Sequence, residues 1–242
     1  MPQPLPETGR FSPVGIYGRT LRVSAERARE LLLLGVLVFI PLGFIDSVVG
    51  NIEVDSGTAS VALIIGGVAV VMLQVSSTLL GEVFYSGAVA GLLTSPRERG
   101  ISPRHVLRTL PFGRLIGADL LFNAGVVLGL LLLIAPGVIF FTWFGLVAPV
   151  IEIEKRGVRE GFARSRALVR GHFWGVLAVL APLTLASDAV INAIAKLGHD
   201  LLGHSFWSTW LAEVVGNVLV SPFYAVPAVL MTVQLIAIKA ES

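Results

Sequence analysis

In a chain of 242 residues, 55% are hydrophobic and only 14% are charged, with a mean hydropathy of +0.83. A water-soluble globule carries about 25% charged residues, so this composition excludes an ordinary soluble domain. The net charge is only +2 and the arginines are dispersed over separate segments flanking the apolar runs, a pattern that argues against nucleic acid as a partner. There is no cysteine, which excludes disulfides, thiolate nucleophiles and cysteine-based metal sites.

Residues 1–30 are polar and rich in arginine, with Arg10, Arg19, Arg22, Arg27 and Arg29. Ser12-Pro13 places a capping hydroxyl before a proline, as at a helix start. Val14, Tyr17, Leu21, Ala25 and Ala28 then recur at helical spacing, which predicts an amphipathic interfacial helix. The first apolar run covers about 31–49, includes Pro41, and has no small-residue cleavage site after it, so a retained helix is expected. An acidic loop follows, with Asp46, Glu53 and Asp55.

The second run, 59–93, contains Gln74 and Glu82 and reads as a span over about 59–80 with an extension to 93. A basic loop comes next, holding Arg97, Arg99, Arg104, Arg108 and Arg114, with Ser102-Pro103 as a second capping signal before Val106, Leu107 and Leu110. Residues 115–135 and 137–151 are apolar on both sides of Pro136. One helix through them would be about 55 Å long against about 30 Å of hydrocarbon, so the chain should reverse at Ala135-Pro136-Gly137. A third basic segment has Lys155, Arg156, Arg159, Arg164, Arg166 and Arg170 alternating with Val158, Phe162 and Val169. A fifth run covers about 173–195, and His199, Asp200 and His204 are expected in a loop after it. The last run, about 207–238, contains Glu213, Pro222 and Pro227 and is read as the sixth span, with only Lys239 to mark its end.

Lys and Arg concentrate in short cytoplasmic loops. With six crossings, all 18 basic residues except Lys196 fall on one side. The expected fold is therefore all-α, a polytopic membrane helix bundle of about six transmembrane helices with short amphipathic cytoplasmic helices. Both termini are cytoplasmic, with residues 1–30 as an N-terminal segment and 31–242 as the membrane domain. Arg19-Thr20-Leu21 and Arg108-Thr109-Leu110 match loosely, through either duplication or the common need of hairpins for basic flanks.

Ionisable groups within a membrane are costly and mark candidate sites. Asp119/Asn123, Asp188/Asn192 and Glu213/Asn217 each put an acid and an asparagine four residues apart, on one helix face. The fifth and sixth helices could share a polar seam that binds a cation or proton, or the pairs could bind helices together, with Lys196 beside an outer acid. Glu82 joins them as a candidate. Gly87/Gly91, Gly113/Gly117 and Gly125/Gly129 have the spacing for close helix approach, within the chain or between copies. His199, Asp200 and His204 are too few and too loosely spaced for a metal site. Nucleotide, dinucleotide and hydrolase fingerprints are absent, and no cofactor is expected.

One stretch has a more specific pattern. It carries Pro136-Gly137, Ala148-Pro149, an acid at Glu152 or Glu154, and Gly157-Val158-Arg159-Glu160-Gly161-Phe162-Ala163-Arg164-Ser165-Arg166. Leu168-Val169-Arg170-Gly171-His172-Phe173-Trp174 completes it. This stretch resembles the membrane domain of bacterial glycerophosphodiester phosphodiesterases and the related YciC-like inner-membrane proteins. The resemblance implies a prokaryotic plasma-membrane location and a membrane module. The catalytic barrel of the fused enzymes has no counterpart in these residues, so phosphodiesterase activity is not expected.

The leading expectation is a non-enzymatic module that associates with lipid or organises a partner. Arg159, Arg164, Arg166 and Arg170 are its candidate contacts to anionic cytoplasmic headgroups, with a second copy or another membrane protein as further partners. The alternative is a small cation- or proton-coupled transporter or channel.

Overall fold

A computed structural model describes residues 11–50, 81–94, 110–203 and 205–241, and every regular element among them is an α-helix. The expected span at 59–80 lies outside the described residues, as do Arg10, Glu53, Asp55, Arg97, Arg99, Arg104, Arg108, the Ser102-Pro103 start and His204.

Helix α1 covers Pro13–Glu26 and starts as its sequence predicts, with the Ser12 hydroxyl accepting from the Gly15 amide at 3.4 Å. It breaks at Arg27, and α2, Ala28–Gly50, follows at once with Pro41 inside it. Gly35 and Gly43 of α2 admit Val218 and Val214, and a methyl group added at Gly43 would lie 2.9 Å from the Val214 side chain. Eight residues make about two turns, so the two glycines form one groove on α2. The Trp210 indole closes it by donating to the Ile40 carbonyl at 3.2 Å. Helix α3 covers 81–94, and its buried Tyr85 donates to the Leu31 carbonyl at 3.0 Å.

The long apolar stretch does turn back on itself, giving α4, Phe112–Leu132, and α5, Ile134–Phe144. The reversal sits at Leu133 (φ −170°, ψ 153°), two residues before the expected Ala135-Pro136-Gly137. Pro136 instead occupies the first turn of α5, where its missing N–H is one that a helix leaves unpaired anyway. The hairpin closes on small residues. A Cβ at Gly129 would meet the Gly137 backbone at 2.8 Å, and one at Gly125 would meet the Phe140 ring at 2.1 Å. This glycine spacing therefore serves packing within the chain.

A bend at Gly145-Leu146 leads into α6, Val147–Glu154, and α7, Val158–Val169, follows after Lys155, whose backbone is left-handed (φ 53°). Helix α8 covers Phe173–Leu202 and ends at Gly203 (φ 74°). It runs past the expected end at 195, so His199 and Asp200 are helical rather than in a loop. The stop is Gly203, whose positive φ is a conformation that favours glycine. Helices α9, Phe206–Val220, and α10, Pro222–Ala240, meet at Ser221, whose φ −54° and ψ −34° stay helical. The last run is thus continuous through Ser221, and the junction falls where Pro222 has no amide to donate.

Four segments among the described residues are long and apolar enough to cross a bilayer: Phe112–Gly129, Ile134–Glu154, Phe173–Leu202 and Phe206–Ala240. The chain is compatible with an integral membrane protein on that basis. The closest helix pairings are α4 with α5, α8 with α9, α9 with α2, and α1 with α10. One apolar core forms around Leu31, Tyr85, Val89, Leu115 and Ile151, and a second around Ile16, Leu146, Leu168, Val176 and Met231.

Candidate functional site

Helix α7 carries the four arginines expected at headgroups, and the structure divides them. Its start is built by Glu160, whose carboxylate accepts from the Gly157 amide at 3.5 Å. Gly161 lets it approach α6, because a Cβ there would lie 2.6 Å from Ile151. Arg164 then reaches back to Glu154, its Nε at 2.9 and 3.1 Å from the two carboxylate oxygens and its Nη2 at 2.8 Å. Arg156 pairs with the same carboxylate. Ser165 is wholly buried and donates to the Trp143 carbonyl at 2.8 Å. The Arg166 guanidinium is exposed and stands 4.4 Å over the Trp143 ring. Arg159 and Arg170 are exposed, and so is Trp174 just beyond Arg170.

Helix α1 is built the same way. Ile16, Thr20 and Ser24 are buried against the bundle. The Tyr17 hydroxyl donates to the Ala178 carbonyl at 2.7 Å, and Arg19 donates to the Gln234 side chain at 2.9 Å. The opposite side presents Val14 and Leu21, 80% and 62% exposed, next to exposed Arg22, and Arg29 is exposed at the start of α2. That pairing of bare apolar and cationic side chains suits a water–lipid boundary better than water.

The interior holds a different constellation. Asp119 and Asn123 of α4 are both buried, and the Asn123 amide donates to the carboxylate at 3.0 Å. The other Asp119 oxygen and the Asn123 carbonyl have no hydrogen-bond partner among the described residues. Half-buried Glu82 on α3 lines a cavity of about 50 Å³ together with Ser86, Phe122, Phe144, Thr184 and Tyr224. Its charge acts on Asp119, and Asp188 of α8 is also within its electrostatic reach. The Ser86 hydroxyl is buried and unpaired, and the Tyr224 and Ser221 hydroxyls stand beside each other without completing a hydrogen bond.

The other two acid–asparagine pairs behave differently. Asn192 donates to the backbone carbonyl of Asp188 at 2.8 Å, and Asn217 to that of Glu213 at 3.0 Å. Asp119 and Asn123 instead join side chain to side chain. Helices α8 and α9 do lie together, with Gly216 against Ile191 and Gly198 against Ala212, so the contact between them includes apolar packing. Asp188 is exposed and Lys196 is exposed further along α8.

Sequence reasoning singled out Glu82, Asp119 and Asn123 but not their polar company. Ser86 follows Glu82 by one turn on the same helix face, a signal that was present. Tyr224 and Thr184 reach the cavity only through tertiary packing. Among the described residues no group of three or more His, Asp and Glu is placed to hold a metal ion. The chain matches no protein-family model, no curated protein and no solved structure.

Proposed function

We propose that the protein is a non-enzymatic module of a prokaryotic plasma membrane, with six crossings and both termini in the cytoplasm, that binds anionic lipid headgroups through α1 and α7. The observation that carries this reading is the two-sided construction of those helices. Each docks one side on the bundle through specific hydrogen bonds, and each leaves arginine exposed on the other, Arg22 beside bare apolar side chains on α1 and Arg159, Arg166 and Arg170 along α7.

The exposed tryptophans support the membrane placement. Trp174 stands at the start of α8, and Trp207 beyond its far end. Thirty helical residues extend about 45 Å, the thickness of a bilayer with its headgroups, and tryptophan favours both interfaces. Arg159, Arg166 and Arg170 share the Trp174 end, where each arginine near an anionic leaflet contributes about 1 kcal/mol. Arg164, engaged with Glu154, holds α7 in place and leaves headgroup contact to the other three.

The test is thermal stability of the purified protein in nanodiscs of zwitterionic lipid, with and without 30% phosphatidylglycerol. Anionic lipid is expected to raise Tm at low salt, with the gain shrinking at 0.5 M NaCl. The triple variant Arg159→Gln, Arg166→Gln, Arg170→Gln should lose most of the gain. Equal stability in both lipids would overturn the reading.

A further inference from the structure

We infer that the interior cavity beside Glu82 binds a small monovalent cation, with the Glu82 carboxylate as its charged ligand and the Ser86 and Tyr224 hydroxyls as neutral ones.

The acids alone would not carry this. The second observation is Ser86, which is 6% exposed, lines the cavity, and has no partner for its hydroxyl. Tyr224, 8% exposed, lines the same cavity, with its hydroxyl beside that of Ser221. Buried hydroxyls are nearly always hydrogen-bonded, because leaving one unpaired forfeits its interaction with water and returns nothing. Two hydroxyl oxygens and a carboxylate thus line one space, a set of donors that suits a cation.

Charge points the same way. Among the described residues neither Glu82 nor Asp119 has a basic side chain against it, and the charged groups within reach of Glu82 are the carboxylates of Asp119 and Asp188. An ionised carboxylate at depth needs a positive partner, and among the described residues no side chain there supplies one. The Asp119 carboxylate already accepts from Asn123, which leaves Glu82 as the group facing the cavity.

The donors are all oxygens, the preference of a hard cation and not of zinc or copper. One carboxylate lines the cavity, fewer than a calcium cage uses, which favours a single positive charge. A water molecule needs roughly 10–15 Å³ of such space. The cavity of about 50 Å³ therefore admits a sodium-sized ion with a water or two.

The experiment uses the full chain in zwitterionic nanodiscs, so that anionic-lipid binding does not enter. Thermal stability is followed from 0 to 300 mM NaCl with N-methyl-D-glucamine chloride holding ionic strength constant, alongside retention of radioactive sodium. Sodium is expected to raise Tm along a saturating curve and to be retained near one ion per chain. Glu82→Gln should fold and lose both effects, and Ser86→Ala should weaken the midpoint about tenfold. The exposed Asp200→Asn should keep the wild-type response. No response to sodium, potassium or lithium, with no retained ion, would overturn the assignment. A response to pH alone would overturn it too, by identifying a proton site.

Discussion

Arg164 grips the Glu154 carboxylate with three hydrogen bonds of 2.8 to 3.1 Å, and the contact joins the middle of α7 to the end of α6. The fork geometry is one that lysine cannot reproduce. Both side chains are mostly covered, 28% and 15% exposed, so the pair is worth more than a surface ion pair. Arg164→Lys is expected to cost about 1–2 kcal/mol, and Arg164→Ala rather more, since a half-satisfied carboxylate remains. Arg159→Ala, at an exposed position, should change stability by less than about 0.5 kcal/mol. Thermal denaturation of the three variants in one detergent checks the order.

Ser165 anchors the same helix one residue further on. Ser165→Ala removes its bond to the Trp143 carbonyl and should cost about 1 kcal/mol. Ser165→Val adds bulk at a fully buried position and should cost more, by about 1–3 kcal/mol. If the two are equal in a melting experiment, the hydroxyl and not the packing sets the site's contribution.

Much of this architecture was legible from apolar length alone. The run through 115–151 had to reverse, and it does. Its turn was misplaced by two residues because proline fits the first turn of a helix as well as it fits a loop, and composition does not tell these apart. Helix α8 overran its expected end because Lys196 and His199 look like loop residues but suit a helix reaching the interface, and only Gly203 stops it. For α7, four arginines at helical spacing look equivalent in sequence. Glu154, ten residues before Arg164, separates them through a fold around Lys155 that no local pattern announces. The cavity shows the same limit. Glu82 and Asp119 stood out as charges in apolar runs, whereas Ser86 and Tyr224 are ordinary residues that matter through the helices beside them.

The α4–α5 hairpin gives a glycine prediction with an internal control. Gly129→Ala would put a methyl group 2.8 Å from the Gly137 backbone, which cannot rotate aside, so the helices must part. A loss of about 1–3 kcal/mol is expected. Gly113, in the first turn of α4, has nothing within 4 Å of its added methyl group. Gly113→Ala should be neutral or stabilise by up to about 1 kcal/mol, since alanine restricts the unfolded chain. Melting temperatures moving in the same direction for both would show that helix propensity, not the close approach, governs these positions.

Sidedness can be tested with single cysteines, because the chain has none of its own. Position 165 is a poor reporter, since Ser165 is buried and would be silent on either side of a membrane. Arg170 at the opposite end of α8 from Ser205 is exposed, as Ser205 is, and neither lies in the apolar interior of a helix. With both termini in the cytoplasm, Ser205→Cys should react with an impermeant maleimide added to intact cells. Arg170→Cys should react only after permeabilisation. The pair is more informative than either site alone, because the two positions flank one helix of membrane-crossing length. Labelling of both in intact cells would mean that α8 does not cross. Labelling of Arg170→Cys alone would invert the bundle, turning the exposed arginines of α7 away from the cytoplasmic leaflet and removing the basis for their contact with anionic lipid there.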